Sequence, residues 1–241
     1  MNWDPWTGCY KISEGCTYCY YYGPYSKRFG QNIVEKTNEF DKPIAKTKKG
    51  TDRIQSGKIV ATCFASDFFI AEADEWRREA WQMIKKRPDL DFLILTKRID
   101  RFPIALPDDW GDGYENMNIG CTVENQETAD FRLPLFLSYP MKRRFIAAAP
   151  LLGALNLSPY LGGIDHVTVG GETGREARIC NYDWVLDIRE QCVQAGKTFW
   201  FKNTGSFFKQ NGVVQKINPF KQNSIAKELG INILDHHKNT I

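Results

Sequence analysis

The sequence predicts an α/β protein built as a partial or complete parallel (β/α) barrel of six to seven strands. From residue 58 onward, short apolar runs rich in β-branched and aromatic residues recur. Such continuous runs are what strands buried on both faces look like. Their starts lie about 20 to 33 residues apart, close to the length of a βα unit. Helical patterns fill several of the gaps, and repeated strand–helix units imply a parallel sheet with right-handed crossovers. A doubly wound open sheet is the alternative arrangement of the same elements.

The six runs are residues 59–65, 92–96, 118–123, 144–148, 166–169 and 198–201, with a possible seventh strand near the N-terminus. Asp74 can cap a helix in which Trp76, Ala80, Met83, Ile84 and Arg87 follow a 3.6 period, ended by Pro88. Asn125 can cap a second, with Ala129, Leu133, Phe136 and Leu137 on one face and Pro134 tolerated within it. A third runs from about Tyr182 to Ala195, with Val185, Ile188, Cys192 and Ala195 in its stripe and Gly196 as its left-handed stop. Residues 17–29 fit a helix interrupted by Gly23-Pro24. Residues 31–57 read as an exposed connection in which Lys46, Lys48 and Lys49 are solvated. We expect residues 1–205 to form the barrel domain and the more polar residues 206–241 a C-terminal extension.

A length of 241 residues suits one large domain, and 42% hydrophobic with 25% charged residues is an ordinary globular balance. A net charge of +3 permits a basic patch without demanding one. The start Met1-Asn2-Trp3-Asp4 has neither the basic residues nor the apolar core of an export signal. No stretch approaches the ~20 apolar residues of a membrane span. With seven cysteines, an odd number, the expectation is a reducing cytoplasm with free thiols or metal thiolates. Cys63, Cys121 and Cys192 fall in apolar patterns and read as core.

Cys9, Cys16 and Cys19 do not. They are flanked by glycines and tyrosines, with six residues between the first pair and two between the second. Thiolates are soft ligands for zinc or iron–sulfur clusters. Three of them close together, without an obvious fourth, suggest a metal centre with an open coordination position. Three small buried hydrophobes are the plainer reading.

In a parallel βα fold, ligands gather at the C-terminal ends of the strands. There the sequence places Ser66 and Asp67, Lys97 and Arg98, Glu124 and Asn125, Gly170-Gly171-Glu172-Thr173-Gly174, and Lys202 with Asn203. Singly these are caps and surface charges; five strand ends in register point to a ligand site. The glycine turn can present backbone N–H groups to an anionic or amino-acid ligand. It lacks the lysine and hydroxyl of a nucleotide P-loop and does not match the dinucleotide fingerprint.

Cys16-Thr17-Tyr18-Cys19 ahead of a βα-repeat barrel resembles radical S-adenosylmethionine enzymes, although their first two cysteines are usually separated by three residues. Trp3-Asp4-Pro5-Trp6-Thr7-Gly8-Cys9, Gly15-Cys16, Leu95-Thr96-Lys97-Arg98, Val123-Glu124-Asn125, Pro150-Leu151-Leu152-Gly153 and Val169-Gly170-Gly171-Glu172 resemble a family of bacterial and phage proteins known by its three-Cys motif. Where its members often carry a glutamate before Pro150, this chain has Ala149. The resemblance implies that Cys9, Cys16 and Cys19 hold a [4Fe–4S] cluster, reduced by a donor such as flavodoxin or ferredoxin. The cluster would bind S-adenosyl-L-methionine and cleave it to a 5′-deoxyadenosyl radical. Ser66, Asp67, Glu124, Asn125, Gly170, Gly171 and Glu172 would bound that cofactor, with Glu172 or Glu124 at its amino group or ribose. Lys97, Arg98 and Lys202 would meet its carboxylate or an anionic substrate, and Tyr18 and Tyr20 would shield the cluster.

Two rival readings come from other classes. One is a zinc or structural cluster site closed by a distant histidine, His166 or His236-His237. The other is a nucleic-acid-binding or repair protein using Lys142-Arg143-Arg144 and the tyrosines.

Overall fold

The computed structural model describes residues 1–22 and 33–234. Its strands, numbered along the chain, are β1 (Asn2–Trp3), β2 (Trp6–Thr7), β3 (Glu35–Lys36), β4 (Ile59–Thr62), β5 (Asp91–Thr96), β6 (Met117–Thr122), β7 (Arg144–Ala148), β8 (His166–Gly170), β9 (Ile179–Asn181), β10 (Thr198–Asn203), β11 (Phe207–Gln210) and β12 (Val213–Lys216). The helices are α1 (Asp74–Lys85), α2 (Phe102–Ala105), α3 (Gln126–Ser138), α4 (Tyr182–Gln194) and α5 (Gln222–Glu228).

Seven strands form one parallel sheet in the order β1-β4-β5-β6-β7-β8-β10. This order never reverses along the chain, whereas a doubly wound sheet requires a reversal. The sheet therefore winds one way, and β1 and β10 remain its two edges. It is a partial barrel. The six apolar runs appear as β4 to β8 and β10, and the N-terminal seventh strand is the two-residue β1.

One face of the sheet packs on the helices in a single large core that includes Ile94, Cys121, Ile146, Val167 and Phe199. The register places Leu95, Gly120 and Phe145 side by side on the other face. There the Phe145 ring fills the space a Gly120 side chain would occupy, since an added Cβ would lie 2.1 Å from it. Leu93, Phe145 and Ala147 make a small separate cluster on this concave side. A second sheet, β12-β11-β9, combines the parallel β9–β11 pair with an antiparallel hairpin.

The helix expectations fare well in position and unevenly in detail. Asn125 caps α3, accepting from the Thr128 N–H in a reciprocal capping box, and Pro134 lies inside the helix. Asn181 caps α4, which ends at Gly196 with φ +65°. Asp74 does not cap α1; it is the first helical residue and pairs with Arg77 and Arg101. A carboxylate in a first turn is favourable there without capping geometry. The expected helix over 17–29 lies mostly outside the described residues, within which Tyr20–Tyr22 is a 3-10 turn. Residues 206–234 are folded: β11 pairs with β9, and α5 packs on β10. No helix among the described residues is long and apolar enough to cross a membrane.

Candidate functional site

The cysteine loop leaves β2 through Gly8, whose φ of +97° favours glycine. A Cβ there would also lie 2.2 Å from the Ile33 carbonyl oxygen. The loop then crosses the C-terminal ends of the strands and is tied to four of them in turn. Beyond β4, the Ser66 hydroxyl donates to the Gly8 carbonyl and the Phe64 carbonyl accepts from the Tyr20 hydroxyl at 2.6 Å. Beyond β5, Arg98 donates to the Tyr10 carbonyl at 2.8 Å and approaches the Cys9 Sγ at 3.7 Å. Beyond β6, Glu124 accepts from the Ser13 hydroxyl at 2.5 Å. Beyond β8, Arg178 bridges Glu172 to the side chain and carbonyl of Glu14.

Each anchoring carboxylate is itself buried and paired. Asp67 accepts from the Thr96 hydroxyl, the Lys97 and Phe69 N–H groups, and lies 3.2 Å from Arg98. Glu124 is fully buried between Lys97 at 2.7 Å and Arg132 at 2.8 Å. Burial works to raise its pKa, but those two cations and the Ser13 hydroxyl outweigh burial and hold it below the usual carboxylate value. Gly15 packs directly on it, and a Cβ there would lie 2.4 Å from the Glu124 Cγ.

This frame brings Cys9, Cys16 and Cys19 to the wall of one cavity of about 280 Å³. Ser66, Asp67, Lys97, Arg98, Gly171, Glu172 and Lys202 line the same cavity, with Phe64, Leu95 and Ala149 as its apolar side. Tyr18, Tyr20 and Tyr21 line it too. Burial pushes the Cys9 thiol up to about 11 against the opposing pull of Arg98. Cys19 is likewise raised by burial. At Cys16 burial also acts upward, yet the Lys97 charge and hydrogen bonds from Ile12 and Ser13 bring the thiol below its ordinary value. Among the described residues, no three His, Cys, Asp or Glu side chains converge as ligands of a single metal ion. Lys202 is open to solvent yet walled in by the cavity, and this burial lowers its pKa.

Three expected rim residues do not face the cavity. Glu124 lies behind it with both carboxylate oxygens engaged by protein groups. Asn125 spends its side chain on the α3 cap and on Glu14. Gly170 sits beneath, against Asn203 and Ala149. Gly171, by contrast, meets the Thr204 carbonyl oxygen and Gly205 so closely that a Cβ would lie 2.4 Å from that oxygen. Its requirement is close backbone approach.

Sequence reasoning did not find Arg132 or Arg178, which orient Glu124 and Glu172. Arg132 had a signal: it lies between Ala129 and Leu133 on the inward side of α3, where a buried cation demands a counter-ion. Arg178 has a near partner in Glu172, six residues before it across an irregular turn, and a distant one in Glu14, 164 residues away, that no local pattern marks. His166 does not approach the cysteines; its ring nitrogens bond the Thr198 and Thr168 hydroxyls at the start of β8. His236-His237 lies outside the described residues.

The charged run 142–144 lies at the opposite, N-terminal end of β7. Lys142 pairs with Glu115, Arg143 with Asp91, and the Arg144 backbone N–H bonds Asp165. Lys142 and Arg143 are thus neutralised, while the Arg144 guanidinium donates to the Tyr139 carbonyl at 2.5 Å. Neither the curated proteins nor the solved structures contain a match to the chain. Residues 1–237 match the family described as Protein of unknown function (DUF5131), to which the chain therefore belongs.

Proposed function

We propose that the protein is a radical S-adenosylmethionine-type enzyme acting in a reducing, cytoplasmic setting, with flavodoxin or ferredoxin as the class of electron donor. The observation that carries this reading is the convergence of Cys9, Cys16 and Cys19 on one cavity at the C-terminal end of an open parallel barrel. When bound, a [4Fe–4S] cluster with one open iron supplies the electron that cleaves S-adenosyl-L-methionine and yields a hydrogen-abstracting 5′-deoxyadenosyl radical.

The donor set fits a cluster better than a single ion. A tetrahedral zinc needs its ligands converging on one point, whereas three thiolates of a cluster each serve a different iron. Lys97 beside Cys16 favours the thiolate form such ligation requires, whereas at Cys9 burial outweighs the pull of Arg98.

The remaining residues have divisible tasks. Gly171 keeps the turn after β8 close to Thr204, and Glu172 keeps one carboxylate oxygen with acceptor capacity beyond its single Arg178 bond. That oxygen suits an ammonium or a pair of hydroxyls. Lys202 suits a carboxylate or another anion from the opposite wall. Tyr18 and Tyr20, at the mouth, exclude water, and exposure is one of the levers on cluster potential.

The test is anaerobic reconstitution followed by reduction in the presence of S-adenosyl-L-methionine. The expected result is about four irons per chain and release of 5′-deoxyadenosine, both lost in Cys16→Ala. Stoichiometric zinc, or an iron-loaded and reduced protein that leaves the cofactor intact, would overturn the reading.

A further inference from the structure

Between Glu190 and Glu228 the chain carries six lysines, at 197, 202, 209, 216, 221 and 227, and no acidic residue or arginine. The chain's +3 is thus six positive charges here against a net of three negative elsewhere. None of these lysines has an ion-pair partner among the described residues, unlike Lys142 and Arg143.

The fold gathers four of the six at one end of the molecule. Lys209 and Lys216 share the outward face of the hairpin, because Lys209 stands opposite Val214 and Lys216 opposite Phe207. Such diagonal neighbours are about 7–8 Å apart. Phe208 and Cys180, of opposite parity, face the core. The Ser206 hydroxyl accepts from the Gly174 N–H, beside the cavity wall at Thr173, and from the Gln222 side chain at 3.2 Å. The Ser206 carbonyl accepts from Ile217. Lys216 and Lys221 each stand next to a residue so fastened. Lys202 carries the positive tract on into the cavity itself. The rim loop adds exposed Arg175, with Glu176 beside it as a carboxylate of that loop.

Apolar groups are interleaved with these charges. Phe220, next to Lys221, is 96% exposed, and Ile179 and Val214, which share the face of Lys209 and Lys216 by register, are exposed as well. Unpaired lysines that track a backbone, together with a free aromatic ring, are the elements of a single-strand binding surface. A protein partner would call for a contiguous apolar centre with few charges, and lysines interrupt this one.

We propose that the β11–β12 hairpin and the turn carrying Lys221 bind single-stranded nucleic acid, with phosphates on Lys209, Lys216 and Lys221 and a base stacked on Phe220. The face leads to the cavity mouth, so the same strand is placed to present a nucleotide there. Binding itself does not depend on the enzymatic reading, and apoprotein measures it.

The test is fluorescence anisotropy of a labelled mixed-sequence single strand with the full chain, compared with a duplex and with polyglutamate. Affinity should fall at least about tenfold between 50 and 200 mM salt. Lys209→Glu/Lys216→Glu should weaken binding tenfold or more. Lys48→Glu/Lys49→Glu, an equal charge change on an exposed loop, should alter it less than twofold. Phe220→Ala should weaken the single strand several-fold and leave polyglutamate unchanged. All variants are first matched to the parent by circular dichroism. No detectable binding, a duplex or polyglutamate bound as tightly as the strand, or equal loss in both double variants would overturn the proposal.

Discussion

The two ends of the sheet are both lined with ion pairs, yet they are built differently. At the C-terminal end the carboxylates of Asp67, Glu124 and Glu172 are almost wholly buried, and each meets an arginine or lysine beneath the cysteine loop. At the N-terminal end Arg143–Asp91 and Lys142–Glu115 are exposed on both sides, Glu115 to 83%. Exposed pairs contribute little to stability, commonly 0–1 kcal/mol or about that. Buried pairs carry a desolvation cost that their attraction only offsets, so they are poor stabilisers and good positioners. The difference says where the fold holds side chains to a fixed geometry. It does so under the cysteines.

The largest effect should come from Glu124→Ala. It leaves Lys97 and Arg132 facing each other across a site with no counter-ion, and removes the acceptor of Ser13. Removing one partner of a buried pair costs roughly 3–5 kcal/mol, measurable by urea unfolding. The triple change Glu124→Leu/Lys97→Met/Arg132→Met should recover most of that stability. It should still leave the Cys16 amide, bonded to the Ser13 carbonyl, faster in hydrogen exchange than in the parent. Slow exchange in the triple variant would mean that the network does not position the loop.

Acid should separate the two ends by pH. His166, at the N-terminal end of β8, is buried between two threonine hydroxyls, and burial lowers its pKa to about 4 from an unfolded value near 6.5. Above pH 6.5 it is neutral in both states and contributes no slope. As pH falls from about 6.5 to about 4, the unfolded chain binds a proton the native chain refuses, and stability drops by on the order of 3 kcal/mol. Glu124, held below its ordinary value, contributes stability that is present above its unfolded pKa and is lost only at lower pH. Stability curves of the parent and His166→Gln should therefore diverge between pH 6.5 and 4. Parallel curves would mean that the histidine is not confined as described.

How much of this was legible depends on how far apart the interacting residues lie. Strands β4 to β8 and β10 were readable because burial on both faces forces continuous apolar runs. Asn125 was readable as a cap because its partner Thr128 is three residues on. The hairpin β11–β12 carries its signal in the turn and not in its strands. Asn211-Gly212, with φ of +51° and +77°, is a strong hairpin signal, but each flanking strand has only two apolar residues, too few to register as an apolar run. The position of Glu124 at a strand end predicts a ligand-facing acid. Only Arg132 on the next helix and Lys97 on the neighbouring strand reveal that it faces inward. The Arg178–Glu14 contact joins residues that no local pattern relates.

The smallest effect sharpens the comparison most cleanly. Arg143 donates to Asp91 at 3.0 Å and to the Glu115 carbonyl, on a surface where both charged side chains stay wet. Arg143→Ala should cost less than about 1 kcal/mol, and the cost should shrink further as added salt screens the pair. The same salt series on Glu124→Ala should leave its larger cost nearly unchanged, because a buried pair is screened much less. Paired urea titrations at low and high salt measure both. If Arg143→Ala lost several kcal/mol, or if salt erased the Glu124 effect, the two ends would share one energetic design. The cysteine loop would then need another explanation for its tethering.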